Sequence, residues 1–193
     1  MNKLCFFLLL SLLSSSTAYA EWTLKSVDSN VYYVSTKNNS VSELNYFNTL
    51  SGTLSDDGEL NIKINLESIE TDIPIRNERV KAMLFEVLLY PKASITAVIS
   101  PEKFKKITAG NTYIETVNFT LNLHGITQEL STTVKVIKHA DGDILVTPVT
   151  PILITAKQFG LEKGIERLRK IARLESISPT VPVTFNLTFV PKP

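Results

Sequence analysis

From Glu59 to Ile69 the chain reads ELNIKINLESI, with Leu60, Ile62, Ile64 and Leu66 alternating against Asn61, Lys63, Asn65 and Glu67. A period of two places the first set on one face of a strand and the second on the other. Val117, Phe119, Leu121 and Leu123 repeat this against Asn118, Thr120 and Asn122, and Val183, Phe185, Leu187 and Phe189 repeat it against Thr184, Asn186 and Thr188. Alternation of this kind belongs to antiparallel strands with one buried face, not to the continuous apolar runs of parallel sheets. Five further strands are expected at 31–37, 42–53, 94–100, 130–138 and 143–155. Between several of them lie turn signals: Ser55-Asp56-Asp57-Gly58, Ala109-Gly110-Asn111 and Ala140-Asp141-Gly142-Asp143. About eight strands joined mostly as hairpins predict an all-β fold, a barrel or sandwich, and closing a barrel removes the exposed sheet edges.

Two segments break the alternation and predict minor helices. Residues 76–88, RNERVKAMLFEVL, suit a short helix that starts near Asn77, a good N-cap type. In 161–174, Leu161, Ile165, Leu168 and either Ile171 or Ala172 follow helical spacing. Gly164 weakens that helix by about 1 kcal/mol relative to alanine, but its apolar stripe survives and is expected to cover one end or side of the sheet.

The first twenty residues read as a segment apart. Lys3 gives a positive start, an apolar core follows to Leu13, and Ala18-Tyr19-Ala20 is a small-x-small cleavage signature. That apolar run is far shorter than the roughly 20 residues that span a bilayer. The expectation is a secretory signal peptide cleaved after Ala20, then a single domain over 21–193 with no transmembrane segment. Cys5, the only cysteine, lies in the leader, so the exported form has no disulfide, thiolate nucleophile or cysteine metal site.

Charge narrows the partners further. Without the leader, 19 basic side chains balance 19 acidic ones, which gives no electrostatic reason to expect nucleic acid or an anionic surface bound by bulk charge.

Candidate chemistry is sparse. His124 and His139 occupy turns or strand ends, and no short motif unites them with the further ligands a metal site needs. No nucleophile elbow or phosphate-binding glycine loop is present. Glu70, Asp72, Arg76, Glu78 and Arg79 crowd around Pro74; they read as a strand exit, a turn and a charged first helical turn in preference to a carboxylate pair or an arginine clamp. Counting by twos puts His124 on the outer face with Asn118, Thr120 and Asn122, and Gly125 then permits a tight turn. The His-Gly pair is therefore expected to be a hairpin corner with its imidazole pointing outward. No catalytic residue, metal ligand or cofactor is assigned. What remains are the long apolar faces, and the candidate ligand-binding wall is Leu60, Ile62, Ile64, Leu66, Val117, Phe119, Leu121, Leu123, Val183, Phe185, Leu187 and Phe189. An eight-stranded barrel can fill its interior with side chains or hold one small ligand, and periodicity does not choose.

Three long stretches, 51–85, 119–130 and 154–189, together with Val27-Asp28-Ser29 and the YYVSTK run at 32–37, resemble in order the YceI family of exported bacterial proteins, also called the polyisoprenoid-binding family. The resemblance implies an antiparallel, lipocalin-like barrel elongated along its axis. It further implies a periplasmic protein whose interior carries, stores or sequesters an isoprenoid lipid or prenylated quinone. After Phe159-Gly160 the connection is longer than in many members, and the helix it carries is expected to shape or cap the ligand entrance. Two rival readings stand beside this one. The first is an envelope interaction module with a filled core and an exposed helix at 161–174; the second is an enzyme using His124, or Glu70 and Asp72, as acid or base.

Overall fold

The computed structural model describes residues 21–192, so the expected leader and its cleavage point lie outside the described residues. Among the described residues twelve strands build one antiparallel sheet: β1 (Glu21–Leu24), β2 (Asn30–Lys37), β3 (Val41–Phe47), β4 (Leu50–Ser55), β5 (Glu59–Asn65), β6 (Ile69–Glu70), β7 (Lys92–Val98), β8 (Thr112–Leu123), β9 (Ile126–Lys138), β10 (Ile144–Pro148), β11 (Ile152–Thr155) and β12 (Thr180–Pro191). Eight of them, in the order β1-β4-β5-β7-β8-β9-β10-β12, form a ring that the pairing of β12 with β1 closes. The fold is thus a closed eight-stranded antiparallel barrel, one of the two architectures the alternation allowed and the one the family resemblance implied.

Its other end is built differently. The first half of β12 leaves the ring to pair with β11 and β2, which extends through β3 to β6. Four of the long strands are therefore bent, each counted twice in the element order: β1 with β2, β3 with β4, β5 with β6, and β10 with β11. The spans 42–53 and 143–155, expected as unbroken strands, each divide in two, at Asn48-Thr49 and at Val149–Pro151. Period two shows which face a residue occupies and is blind to a bend that preserves the faces.

Three of the breaks lie side by side, and serine hydroxyls replace the ladder bonds lost there. Fully buried Ser29 donates from Oγ to the Lys25 carbonyl at 2.8 Å and accepts from the Thr188 N–H at 3.0 Å. Ser26 Oγ accepts from the Leu50 N–H at 3.2 Å. Ser68 Oγ donates to the Asn65 carbonyl at 2.7 Å and accepts from the Thr49 N–H at 3.1 Å. Short 3₁₀ turns at Ser26–Asp28 and Leu66–Ser68 carry the chain around two of these corners.

Beyond this crease β6 and β11 are the outer strands, and helical segments cover the space on their far sides. Between β6 and β7 run α1 (Pro74–Arg79) and a wider π-type coil, Val80–Phe85. Helix formation starts earlier than expected, since Pro74 fits the first helical turn, where its missing N–H costs nothing. Asn77 is consequently not the N-cap. Buried within α1, it accepts from the Thr71 N–H at 2.9 Å and the Thr71 hydroxyl and donates to Glu70 at 2.9 Å, so it fastens the loop ahead of the helix. After β11, a 3₁₀ turn (Ala156–Phe159) leads to α3 (Glu162–Ile171), the second expected helix. Leu161, Ile165 and Leu168 pack on the core, whereas Ile171 and Ala172 stay exposed.

A third helix, α2 (Pro101–Lys106), covers the opposite end of the barrel and was not foreseen. It has six residues, too few for helical periodicity to register, and drives the buried Phe104 into the interior. A Ser-Pro start before a single large apolar residue was the available signal.

Gly164 has a role that propensity does not reveal. A Cβ there would sit 2.6 Å from the Met83 carbonyl oxygen and 2.9 Å from the Leu84 Cα, so only glycine lets α3 approach the π-type coil so closely.

Two stability predictions follow from this geometry. Gly164→Ala, which on helix propensity alone gains about 1 kcal/mol, is expected instead to destabilise by about 1–3 kcal/mol through overpacking; urea unfolding gives the sign, and a net gain would refute the close-approach argument. Ser29→Ala leaves the Thr188 N–H unpaired in a buried crease and the Lys25 carbonyl with only the Asp28 N–H, and is expected to cost about 1–3 kcal/mol, whereas a midpoint unchanged from the wild type would show that the hydroxyl is dispensable.

Candidate functional site

The alternating positions turn their apolar sets inward, and the walls they form do not meet. Leu60, Ile62 and Ile64 of β5, with Leu66 just past its end, Val117, Phe119, Leu121 and Leu123 of β8, and Val183, Phe185, Leu187 and Phe189 of β12 all border one cavity of about 250 Å³. The remaining wall comes from strands that were foreseen but not assigned as lining, among them Ile95 on β7, Val134 and Val136 on β9, and Val146 on β10. Leu84 and Phe85 of the π-type coil and Leu161 and Ile165 at α3 close one end; Ile99 and Phe104 close the other.

Shape follows from the strands. Tyr113 and Leu123 both border the space and lie ten positions apart on β8. At about 3.3 Å per residue and a barrel tilt near 40°, the cavity extends roughly 25 Å along the axis. So much length in so little volume makes a narrow tube, suited to a single chain.

Few polar groups face it. Tyr33 and Tyr113 border the space near opposite ends, and burial pushes both phenols up, Tyr113 to about 12, so both remain neutral donors at any ordinary pH. Neither hydroxyl has a protein hydrogen-bond partner among the described residues. Tyr33 also stacks on Phe47 at 6.0 Å between ring centres. Glu115, the one carboxylate on the wall among the described residues, forms an ion pair with Lys103 of α2 at 2.7 Å.

The charged cluster around Pro74 stands apart from the tube and is occupied by its own partners. The Arg76 guanidinium donates to Glu43 and to the Thr71 carbonyl. Glu43 also meets Lys37 at 2.8 Å; burial pushes its carboxyl up, but the hydrogen bonds from Arg76 and Lys37 outweigh this and hold it below the usual carboxylate range. Glu70 receives the Asn77 amide and the backbone N–H groups of Asp72 and Thr71, which likewise lower its pKa. Glu78 forms an ion pair with Lys81. These contacts fit the structural reading of the cluster.

His124 and Gly125 do form the two-residue corner between β8 and β9, with φ of 53° and 76°. Both are left-handed, as such hairpins require. The imidazole, however, does not point freely outward. It packs against Tyr90 at 4.4 Å between ring centres, and its Nε2 lies 2.9 Å from Glu86. The alternation that predicted its direction ends where the backbone turns left-handed. Arg167 of α3 reaches the other Glu86 oxygen at 3.0 Å, and hydrogen bonds from Arg167 and then His124 hold that carboxyl low. Glu86 thus ties the β8–β9 corner to α3.

Among the described residues no three histidine, cysteine, aspartate or glutamate side chains gather to hold a metal ion, and no helix is long and apolar enough to cross a membrane.

Comparison with known proteins agrees with this architecture. A polyisoprenoid binding domain from Saccharophagus degradans, implicated in plant cell wall breakdown, superposes with a TM-score of 0.86 at 35% identity, covering 89% of this chain and 98% of that one. BcnA of Burkholderia cenocepacia (TM-score 0.63, 17% identity, 86% and 98% covered) and the YCEI protein of Campylobacter jejuni (0.54, 13%, 77% and 84%) share the fold. No curated protein matches the chain. The model of the YceI-like domain matches residues 22–189, and the chain therefore belongs to the YceI family.

Proposed function

We propose that this protein is an exported, periplasmic lipid carrier that shelters an isoprenoid lipid or a prenylated quinone inside the barrel. One observation carries the reading: a narrow apolar tube runs along the barrel, walled by side chains that alternate inward on strand after strand. A tube of this form excludes bulky ligands and accepts a chain, and each methylene-sized unit it removes from water contributes about 0.8 kcal/mol. The name of the Saccharophagus degradans domain supports the class of ligand. Tyr33 and Tyr113 offer a hydrogen bond to a hydroxyl, carbonyl or phosphate at either end without placing a permanent charge in the interior.

The rival readings fit less well. An interaction module with a filled core has no use for an unfilled interior, and Leu161, Ile165 and Leu168 of the apolar stripe at α3 are spent on the core. As for an enzyme, His124, Glu70 and Asp72 do not border the cavity, and Glu70 and His124 are engaged by neighbouring groups.

Mass spectrometry of an organic extract of the purified protein should find a prenyl-chain lipid, and a delipidated sample should take up a long-chain prenylated quinone on titration. Replacing a half-buried wall residue with a larger ring, Val117→Trp or Val183→Trp, is expected to lower that uptake by about tenfold or more, equivalent to 1.4 kcal/mol, in protein whose circular dichroism is unchanged. Persistent absence of lipid together with no uptake would sink the proposal. Tyr33→Phe and Tyr113→Phe should each be silent toward a plain hydrocarbon chain, and the one at the head-group end should weaken quinone binding by about 0.5–1.5 kcal/mol. Equal behaviour of both variants toward quinone and hydrocarbon would show that neither hydroxyl meets the head.

A further inference from the structure

We infer that the turn carrying Leu88 and Leu89 docks the protein on a lipid bilayer, beside the lidded end of the tube. The inference rests on the reading of the cavity as a lipid site and adds the surface through which lipid is exchanged.

Leu88 is 94% exposed and Leu89 72%, adjacent leucines at the tip of one turn. The turn is firmly built: the Glu86 carbonyl accepts from the Leu89 and Tyr90 N–H groups, the Val87 N–H donates to Lys81, and the Val87 side chain is buried beneath the tip. Holding two leucines in water on a rigid tip stabilises nothing within the fold. Single exposed apolar residues need no explanation, but contiguous ones mark an interaction site. The patch continues through Tyr90, which touches the β8–β9 corner at Gly125, to the partly exposed Ile126 next in sequence.

Charge identifies the partner. Arg167 meets Glu86, two residues before the tip, so the face of α3 that carries Arg167 fronts this turn. Lys163 and Lys170 lie four residues before and three after Arg167, on that same face, and both are exposed. Lys92 follows the turn and is also exposed. Two of the acids nearby are already paired, Glu86 with His124 and Arg167, and Glu166 with Arg169 and Lys170; two more are exposed, Glu67, which follows the residue bonded to Pro91, and Glu162 at the start of α3, so the cations exceed the unpaired acids only locally, at Lys163 and Lys92. An apolar tip with an aromatic ring behind it and lysines at its margin matches the layering of a membrane interface, where leucines enter the acyl boundary, tyrosine sits at head-group level and cations meet anionic lipid.

Position gives this surface a purpose. Leu84 and Phe85, directly before Glu86 in sequence, line the tube, as do Leu161 and Ile165 at α3. The docking tip and the lid are one stretch of chain. Force applied to the tip by a bilayer acts on the side chains that close the cavity.

Cosedimentation with vesicles tests the inference, using phosphatidylethanolamine and phosphatidylglycerol in one set and phosphatidylcholine alone in the other. Wild-type protein should bind the anionic vesicles and bind the zwitterionic ones more weakly. The L88S/L89S double variant, altered only at exposed positions, should bind anionic vesicles at least about tenfold less while keeping its unfolding midpoint and its uptake of quinone from detergent. Uptake from detergent reports on the cavity alone, so its loss in the wild type would fault the carrier reading, and intact uptake without vesicle binding would fault the docking surface alone. Concentration-dependent self-association abolished by the same double substitution, with no vesicle binding, would overturn the inference in favour of a second copy of the chain.

Discussion

A sheet that must bend across several adjacent strands loses ladder hydrogen bonds at the bend, and buried backbone groups left unpaired cost free energy comparable to a lost bond. Here the bend crosses three neighbouring strands at one level, and the hydroxyls of Ser26, Ser29 and Ser68 take over the missing pairings. That substitution allows the long β12 to belong to two layers, completing the ring with β10 and β1 and then leaving it to join β11 and β2. Because β6 and β11 then end as outer strands, the far end of the barrel needs a helical cover. The tube, its lid and the exposed tip beside the lid all descend from the crease.

The cover is held by close approach and by charge. Gly164 lets α3 lie directly on the backbone at Met83 and Leu84, so two cavity-lining side chains of the coil are held under the helix. Glu86 then binds both Arg167 of α3 and His124 of the hairpin corner, a three-element junction at the rim of the lid. These contacts lie outside the tube, whose wall is almost wholly apolar. An apolar wall gives a water molecule too few partners to be retained, which leaves the space for a chain of matching character. The charged groups around Arg76 are likewise held away from the interior, its two terminal nitrogens engaged by Glu43 and Thr71 while its buried Nε has no partner among the described residues.

Much of the architecture was legible in the chain, and the way it was legible explains what was missed. Alternation located the wall-forming faces of β5, β8 and β12, because a period of two is a direct record of which side of a strand faces water. It read 42–53 and 143–155 as unbroken, since a crease changes direction without changing faces. Helix α2 escaped notice because six residues are too short for a helical period, and Asn77 was misplaced because the same side chain suits an N-cap and a loop clasp equally. The outward direction expected for His124 failed at the left-handed corner, where counting by twos no longer applies.

By itself the sequence determined antiparallel strands with one apolar face each, two of the helices and the absence of a thiol from 21 onward, because each of these depends on local spacing or on composition; the choice of barrel over sandwich was what the family resemblance implied. Only the tertiary structure decided that the interior is an unfilled tube closed at its ends by side chains, that Gly164 is required by a helix crossing, that His124 serves as a strut against Glu86, and that Leu88 and Leu89 stand together in solvent. Each of those depends on distances between segments far apart in the chain. Pattern along a sequence records what faces water, whereas packing between distant segments fixes how much space remains between them.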